Sequence, residues 1–130
     1  MEYAVPVEAG VDCLRELRAY IERGRVRVHF PIEYRVVAGD DIWLSPFYRR
    51  DSAVISVHMY APMPYEDYFA GCEAIFRNYR GRPHWGKIHT LTARELQDLY
   101  PQWHRFHELR RRLDPRGVFM SDYLRRIFGA

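Results

Sequence analysis

Lysine is almost missing from this chain. Of its 20 basic residues, 19 are Arg and one, Lys87, is Lys. An Arg-rich genome accounts for most of that bias, which makes the position that keeps its lysine stand out. Cysteine is scarce too: Cys13 and Cys72 lie far apart with no CxxC or metal-type spacing. That excludes a disulfide scaffold and a zinc ribbon, and the pair reads as reduced core residues. No apolar run approaches the ~18 residues of a membrane span, and no basic-then-greasy leader opens the chain. The expected location is the cytoplasm or the surface of a membrane. There is no repeat, low-complexity tract or Gly/Ser linker, so one domain is expected. GxGxxG, GxxxxGK[ST] and HExxH are absent, as is any His/Cys/Asp cluster at ligand spacing. No metal is expected, and a complete catalytic machine is hard to find in these residues.

What is present is a core former. Apolar residues make 48% of the 130, charged residues 28% and aromatic residues 15%. That excludes disorder and predicts a core rich in rings. The net charge of +3 hides an asymmetry: residues 1–79 sum to −3 and residues 80–130 to +6. A basic half suits nucleic acid, a phosphate-bearing cofactor or a partner surface. The run Arg110-Arg111-Arg112 lacks interleaved aromatics and any surrounding binding motif, so a solvated helix face is the better reading and no nucleic acid partner is expected.

Periodicity predicts the elements. A strand at Glu2–Val5 stops at Pro6. A helix follows from about Glu8 to Arg23, with Val11, Leu14, Leu17 and Ile21 as its apolar stripe and Gly24 as its cap. Alternation from Val26 to Val37 predicts a second strand, interrupted by a bulge or edge at Pro31. A loop over 38–51 leads to a third strand, Ala53 to Tyr60. The stripe Tyr65, Phe69, Cys72, Ile75, Phe76 and Tyr79 predicts a second helix. A strand at Trp85–His89 would complete the β-α-β-β-α-β order of ferredoxin-like sandwiches. Thr92 with Glu95 marks a capping box, and helices around Trp103–Leu113 and Asp122–Phe128 close the chain. The class is α+β: an antiparallel sheet with helices on one face, plus C-terminal helices.

Two places could carry chemistry. Arg82-Pro83-His84-Trp85-Gly86-Lys87-Ile88-His89 gathers two histidines, an indole and the sole lysine. As a strand it would put Trp85, Lys87 and His89 on one face. Lys87 offers a compact ammonium for a ligand oxygen or developing negative charge. Glu33 and Arg35 share a strand face, so they form either an ordinary salt bridge or a joint grip on a polyhydroxylated ligand. His29 and His58 are single strand histidines, more often structural than catalytic.

At Pro83-His84-Trp85-Gly86-Lys87, and at Tyr100-Pro101 through Leu113-Asp114-Pro115-Arg116-Gly117-Val118-Phe119, the chain resembles the aldonolactone oxidase and alditol oxidase family. These are flavoenzymes of the vanillyl-alcohol-oxidase type. Glu33-Tyr34-Arg35 with Asp40 through Pro46 resembles the family's Glu-x-Arg strand and following loop, and Met1 through Pro6 resembles an internal stretch. The resemblance implies residues 1–130 of a substrate (cap) domain, with a closing segment at about 90–130. The FAD-binding domain would lie outside the chain and be supplied in cis or in trans. It implies oxidation of a sugar lactone or polyol by hydride transfer to FAD, with oxygen or another acceptor taking the electrons. By position it implies Glu33, Arg35 and Lys87 as catalytic residues. The same three with His58 would bind substrate, and His84 with Lys87 would meet the cofactor. Isolated, the chain is expected to be inactive and to retain no FAD. With Trp43, Phe47, Tyr48 and some of Trp103, Phe119, Tyr123 and Phe128 uncovered, it is expected to associate with itself, swap segments or show a disordered tail after Asp114. The alternatives are a non-catalytic interaction module kept from the same domain and, more weakly, a nucleic-acid-binding domain.

Overall fold

Period-two alternation sends Tyr3 and Val5 of the first strand to one side and Glu2 and Ala4 to the other. The computed structural model, which describes residues 1–129, turns that alternation into a two-layer sandwich. In chain order it has β1 (Glu2–Pro6), α1 (Gly10–Gly24), β2 (Glu33–Val37), β3 (Ser52–Ser56), α2 (Glu66–Asn78), β4 (Arg82–Pro83), α3 (Ala93–Leu99), α4 (Trp103–Leu113) and α5 (Asp122–Phe128). The sheet runs β2-β3-β1-β4 with every neighbour antiparallel. This is the expected α+β class and β-α-β-β-α-β order.

Tyr3, Val5, Ala53 and Ile55 meet Cys13 and Leu17 of α1 and Cys72 and Phe76 of α2 in one buried cluster. Tyr3 stacks on Phe76 with centroids 4.8 Å apart. Burying Val5, Leu17, Ile55 or Phe76 contributes about 1.5–3 kcal/mol each relative to exposure. Gly10 lets α1 reach the sheet, because a Cβ there would stand 2.4 Å from both the Ala53 Cβ and the Tyr34 hydroxyl.

Three expectations are corrected. The apolar stripe of α1 keeps Leu14, Leu17 and Ile21 and gains Cys13, while Val11 is 50% exposed. The second strand begins only at Glu33, and the third ends at Ser56. Their ladder spans Glu33–Val37 against Ser52–Ser56, beyond which the Val57 N–H turns to the Met1 carbonyl. Residues 26–32 therefore have no strand to pair with, and the Pro31 nitrogen has no proton to offer. Thirdly, Trp85–His89 is no strand: β4 is two residues long, and the Lys87 N–H closes a turn onto the His84 carbonyl.

The helical predictions at the C-terminus hold. Thr92 and Glu95 form the reciprocal capping box on α3, and the Ser121 hydroxyl caps α5. Tyr48, expected to be uncovered, is buried at 5% exposure; of the C-terminal aromatic set Trp103 is likewise buried, whereas Phe119 is 82% exposed, as is Leu113 at 76%. No helix among the described residues is long and apolar enough to cross a membrane.

Candidate functional site

The sheet face turned away from α1 and α2 carries the charges. In register across it lie Glu2 of β1, Ser56 of β3 and Glu33 of β2, and beside them Ala4, Val54 and Arg35. Glu2 is the hub. It is 7% exposed, and its Oε2 accepts from Arg35 Nη2 at 2.6 Å and Lys87 Nζ at 2.7 Å. The Ser56 hydroxyl donates to the same oxygen. Arg35 and Lys87, far apart in sequence, thus converge on one atom. Glu33 stands in the same row, two strands from Glu2 with Ser56 between them.

The turn, and not a pleat, delivers Lys87. Gly86 donates its N–H to His84 Nδ1 at 3.1 Å, and the Lys87 N–H closes on the His84 carbonyl. The Trp85 ring leaves the turn for Tyr100, 5.0 Å away, and its Nε1 donates to the Leu44 carbonyl at 2.8 Å. Trp85, Lys87 and His89 therefore go to different places, contrary to the shared strand face expected of them. His84 is exposed. With Nδ1 taken by Gly86, its Nε2 is the ring nitrogen left for a ligand. His89 is buried, and burial holds its imidazole below the ordinary value. The Tyr123 hydroxyl donates to the Trp85 carbonyl at 2.7 Å and contacts His89 Nε2 at 3.1 Å, so Nε2 carries the proton. This ties α5 to the Lys87 turn.

His58 follows β3, with its Nε2 buried and unpartnered and Phe30 edge-on at 4.9 Å. Burial holds it below the usual histidine range, and the charges of Glu33 and Glu2 oppose that. Of the residues singled out in the sequence, the fold brings Arg35 and Lys87 onto Glu2. It sets Glu33 and His58 beside them, and His84 at the root of the turn. The backbone around the site is pinned by Arg82, whose Nη1 donates to the Pro46 and Tyr48 carbonyls at 3.2 and 3.0 Å while its Nε holds Leu99. A pocket of about 200 Å³ lies over Ala4 and Val54, walled by Glu2, Phe47, Arg82 and His84.

Sequence reasoning missed Glu2 and Arg82. The signal for Glu2 was there: one carboxylate among apolar neighbours in a short strand asks for a buried partner.

Burial works to raise the Glu2 carboxyl. The hydrogen bonds from Lys87 and Ser56 and the charges of Lys87 and Arg35 outweigh it and hold the group down at about 2. Unfolded, the same carboxyl takes up its proton near 4.5. The contribution is therefore complete above about 4.5 and is lost as pH falls through about 2. Urea unfolding is expected to show wild type more stable than Glu2→Gln at pH 6, with the gap shrinking toward pH 2. A gap that stays constant over that range would contradict the ionised, clamped carboxylate.

No group of three or more His, Cys, Asp or Glu side chains among the described residues is placed to hold a metal ion. A family model described as D-arabinono-1,4-lactone oxidase matches residues 1–127. The chain is 49% identical over 129 residues to an L-gulono-1,4-lactone dehydrogenase of Mycobacterium tuberculosis, covering 99% of this chain and 30% of that protein. It is 39% identical over 132 residues to the L-gulonolactone oxidase of Mus musculus, covering 98% of this chain and 30% of that one. An alditol oxidase of a Streptomyces species is 35% identical over 96 residues, 72% of this chain and 23% of its own. The chain spans about 30% of the length of the first two of these relatives.

Proposed function

This chain belongs to the D-arabinono-1,4-lactone oxidase family, and from that footing we propose that it forms the substrate-facing part of an FAD-dependent oxidoreductase. The substrate would be an aldono-1,4-lactone or an alditol, oxidised at a CH–OH carbon. The observation that carries the reading is the meeting of Arg35 and Lys87 on one oxygen of Glu2, beside Glu33. Two cations fixed at one point suit the oxygen of a carbon that becomes a carbonyl, because they favour negative charge developing there. Glu33 adds an acceptor for a neighbouring hydroxyl, and His58 extends the same wall.

The residues present suit one end of FAD. The exposed His84 imidazole and the spare donors of Lys87 can meet the polar edge of a flavin ring. For the pyrophosphate the described residues offer no phosphate-cradling loop, and the half-buried Arg50 and the buried Arg82 give their hydrogen bonds to backbone carbonyls. Bound FAD would supply the acceptor for the hydride that leaves the substrate carbon, and the hydroxyl proton would leave to water. This chain's part is to hold the substrate oxygens, orient that carbon and stabilise the charge. Oxygen or another molecule takes the electrons afterwards.

A partner supplying the rest of the FAD site, in cis or in trans, would suit the apolar wall of Leu109, Leu113, Phe119 and Leu124 between α4 and α5. Without it, self-association through that wall is the expected behaviour.

The test joins this chain to the remainder of the Mycobacterium tuberculosis relative in place of its matching segment. The joined protein is expected to be yellow and to lose flavin absorbance when an aldonolactone or alditol is added without oxygen. The 130-residue chain alone is expected to be colourless. A joined protein that binds flavin but is bleached by neither substrate class would overturn the reading, as would stoichiometric flavin on the chain by itself.

A further inference from the structure

We propose that Glu2 is a positioning residue that holds Arg35 and Lys87 together as one cationic pair. What the pair does rests on the reading above; that Glu2 builds it does not. A long ammonium side chain and a long guanidinium side chain each lose rotamer freedom when fixed, and like charges resist being brought together. Here Arg35 is 53% and Lys87 37% exposed in its side chain, while the Glu2 side chain is 8% exposed. The cations keep a wet side for a ligand, and the carboxylate that orders them is sealed beneath.

Glu2 is itself rigid. Its strand is one of the sheet's two inner strands, paired with β3 on one side and β4 on the other. Its carbonyl accepts the His84 N–H at 3.0 Å, which roots the Lys87 turn in the same residue whose side chain catches Lys87. The Ser56 hydroxyl fixes the shared oxygen from the neighbouring strand. No other acidic side chain among the described residues bridges either cation. Glu33, the acid on the strand of Arg35, is left free for other work. Substrate contact falls to the cations and Glu33, and Glu2 acts through them.

The sole lysine makes the test direct. Labelling the 130-residue chain with 15N-lysine gives a single side-chain ammonium signal, that of Lys87. Its protons are expected to exchange with water about ten-fold or more faster in Glu2→Gln than in wild type, the least that losing a charge-assisted hydrogen bond implies. The melting temperature at neutral pH is recorded beside it. If Glu2→Gln does not fold, Glu2→Asp serves, since its shorter carboxylate cannot hold both cations, and the same acceleration is expected. Equal exchange in wild type and a folded variant overturns the clamp.

The joined protein supplies a second arm. There Glu2→Gln is expected to lower kcat by about ten-fold with flavin still bound, and an unchanged kcat overturns the positioning role. A clamp seen by exchange in a chain whose joined form oxidises nothing would sink the enzymatic reading and leave Glu2 as the organiser of the pair. Activity with no clamp would do the reverse.

Discussion

Replacing Lys87 with Met in the joined protein is expected to slow oxidation by about 10²–10³-fold, the usual loss when one fixed donor to developing charge is removed. Methionine keeps the length and apolar stem, so the turn at His84–Lys87 and the Trp85 packing should survive. Flavin should stay bound, and circular dichroism of the variant should match wild type. Lys87→Arg is expected to recover little. A planar fork cannot occupy the place of a compact ammonium that already shares Glu2 Oε2 with Arg35. The measurement is the single-turnover rate of flavin bleaching without oxygen. A Lys87→Met protein within a few-fold of wild type would remove Lys87 from the site.

Glu73→Ala should be the most damaging single change to stability outside the aromatic core. Glu73 sits on α2 at 3% exposure, with no cation bridging it among the described residues. Its carboxylate accepts the Tyr3 hydroxyl at 2.5 Å, the Thr90 N–H at 2.8 Å and the Thr90 hydroxyl. Burial and then Glu73 itself push the Tyr3 hydroxyl well above the usual phenol range, so it remains a donor. Truncation strands the buried Tyr3 hydroxyl, unties the exposed Thr90 from α2 and leaves a cavity, a loss of about 3 kcal/mol. For a domain of this size that is roughly 10 °C in melting temperature. Tyr3→Phe removes one of the donors and should cost less. Because Thr90 follows the Lys87 turn, Glu73→Ala should also quicken Lys87 ammonium exchange. A melting temperature lowered by less than about 3 °C would show that water replaces the lost acceptor.

Most of the fold is legible in local patterns. Alternation in Glu2–Pro6 and Ser52–Ser56, the stripe Phe69, Cys72, Ile75 and Phe76, and the Thr92–Glu95 box each act within one element. The sequence by itself determined the order of elements, the α+β class and the common strand face of Glu33 and Arg35, because periods of 2 and 3.6 residues are properties of the local backbone. Its family motifs likewise lie in contiguous stretches of the chain. Only the tertiary structure decided where strands stop, since a ladder extends as far as its partner does, and the five residues of β3 leave 26–32 unpaired. It alone turned Trp85–His89 from a strand into a turn, and it alone found Glu2. That carboxylate becomes the hub because β1 is laid between β3 and β4, which brings Lys87 to it across a sequence separation of 85 residues. No local periodicity encodes a contact of that range, because it forms only when both pairings are in register and burial excludes the water that would otherwise solvate the charge.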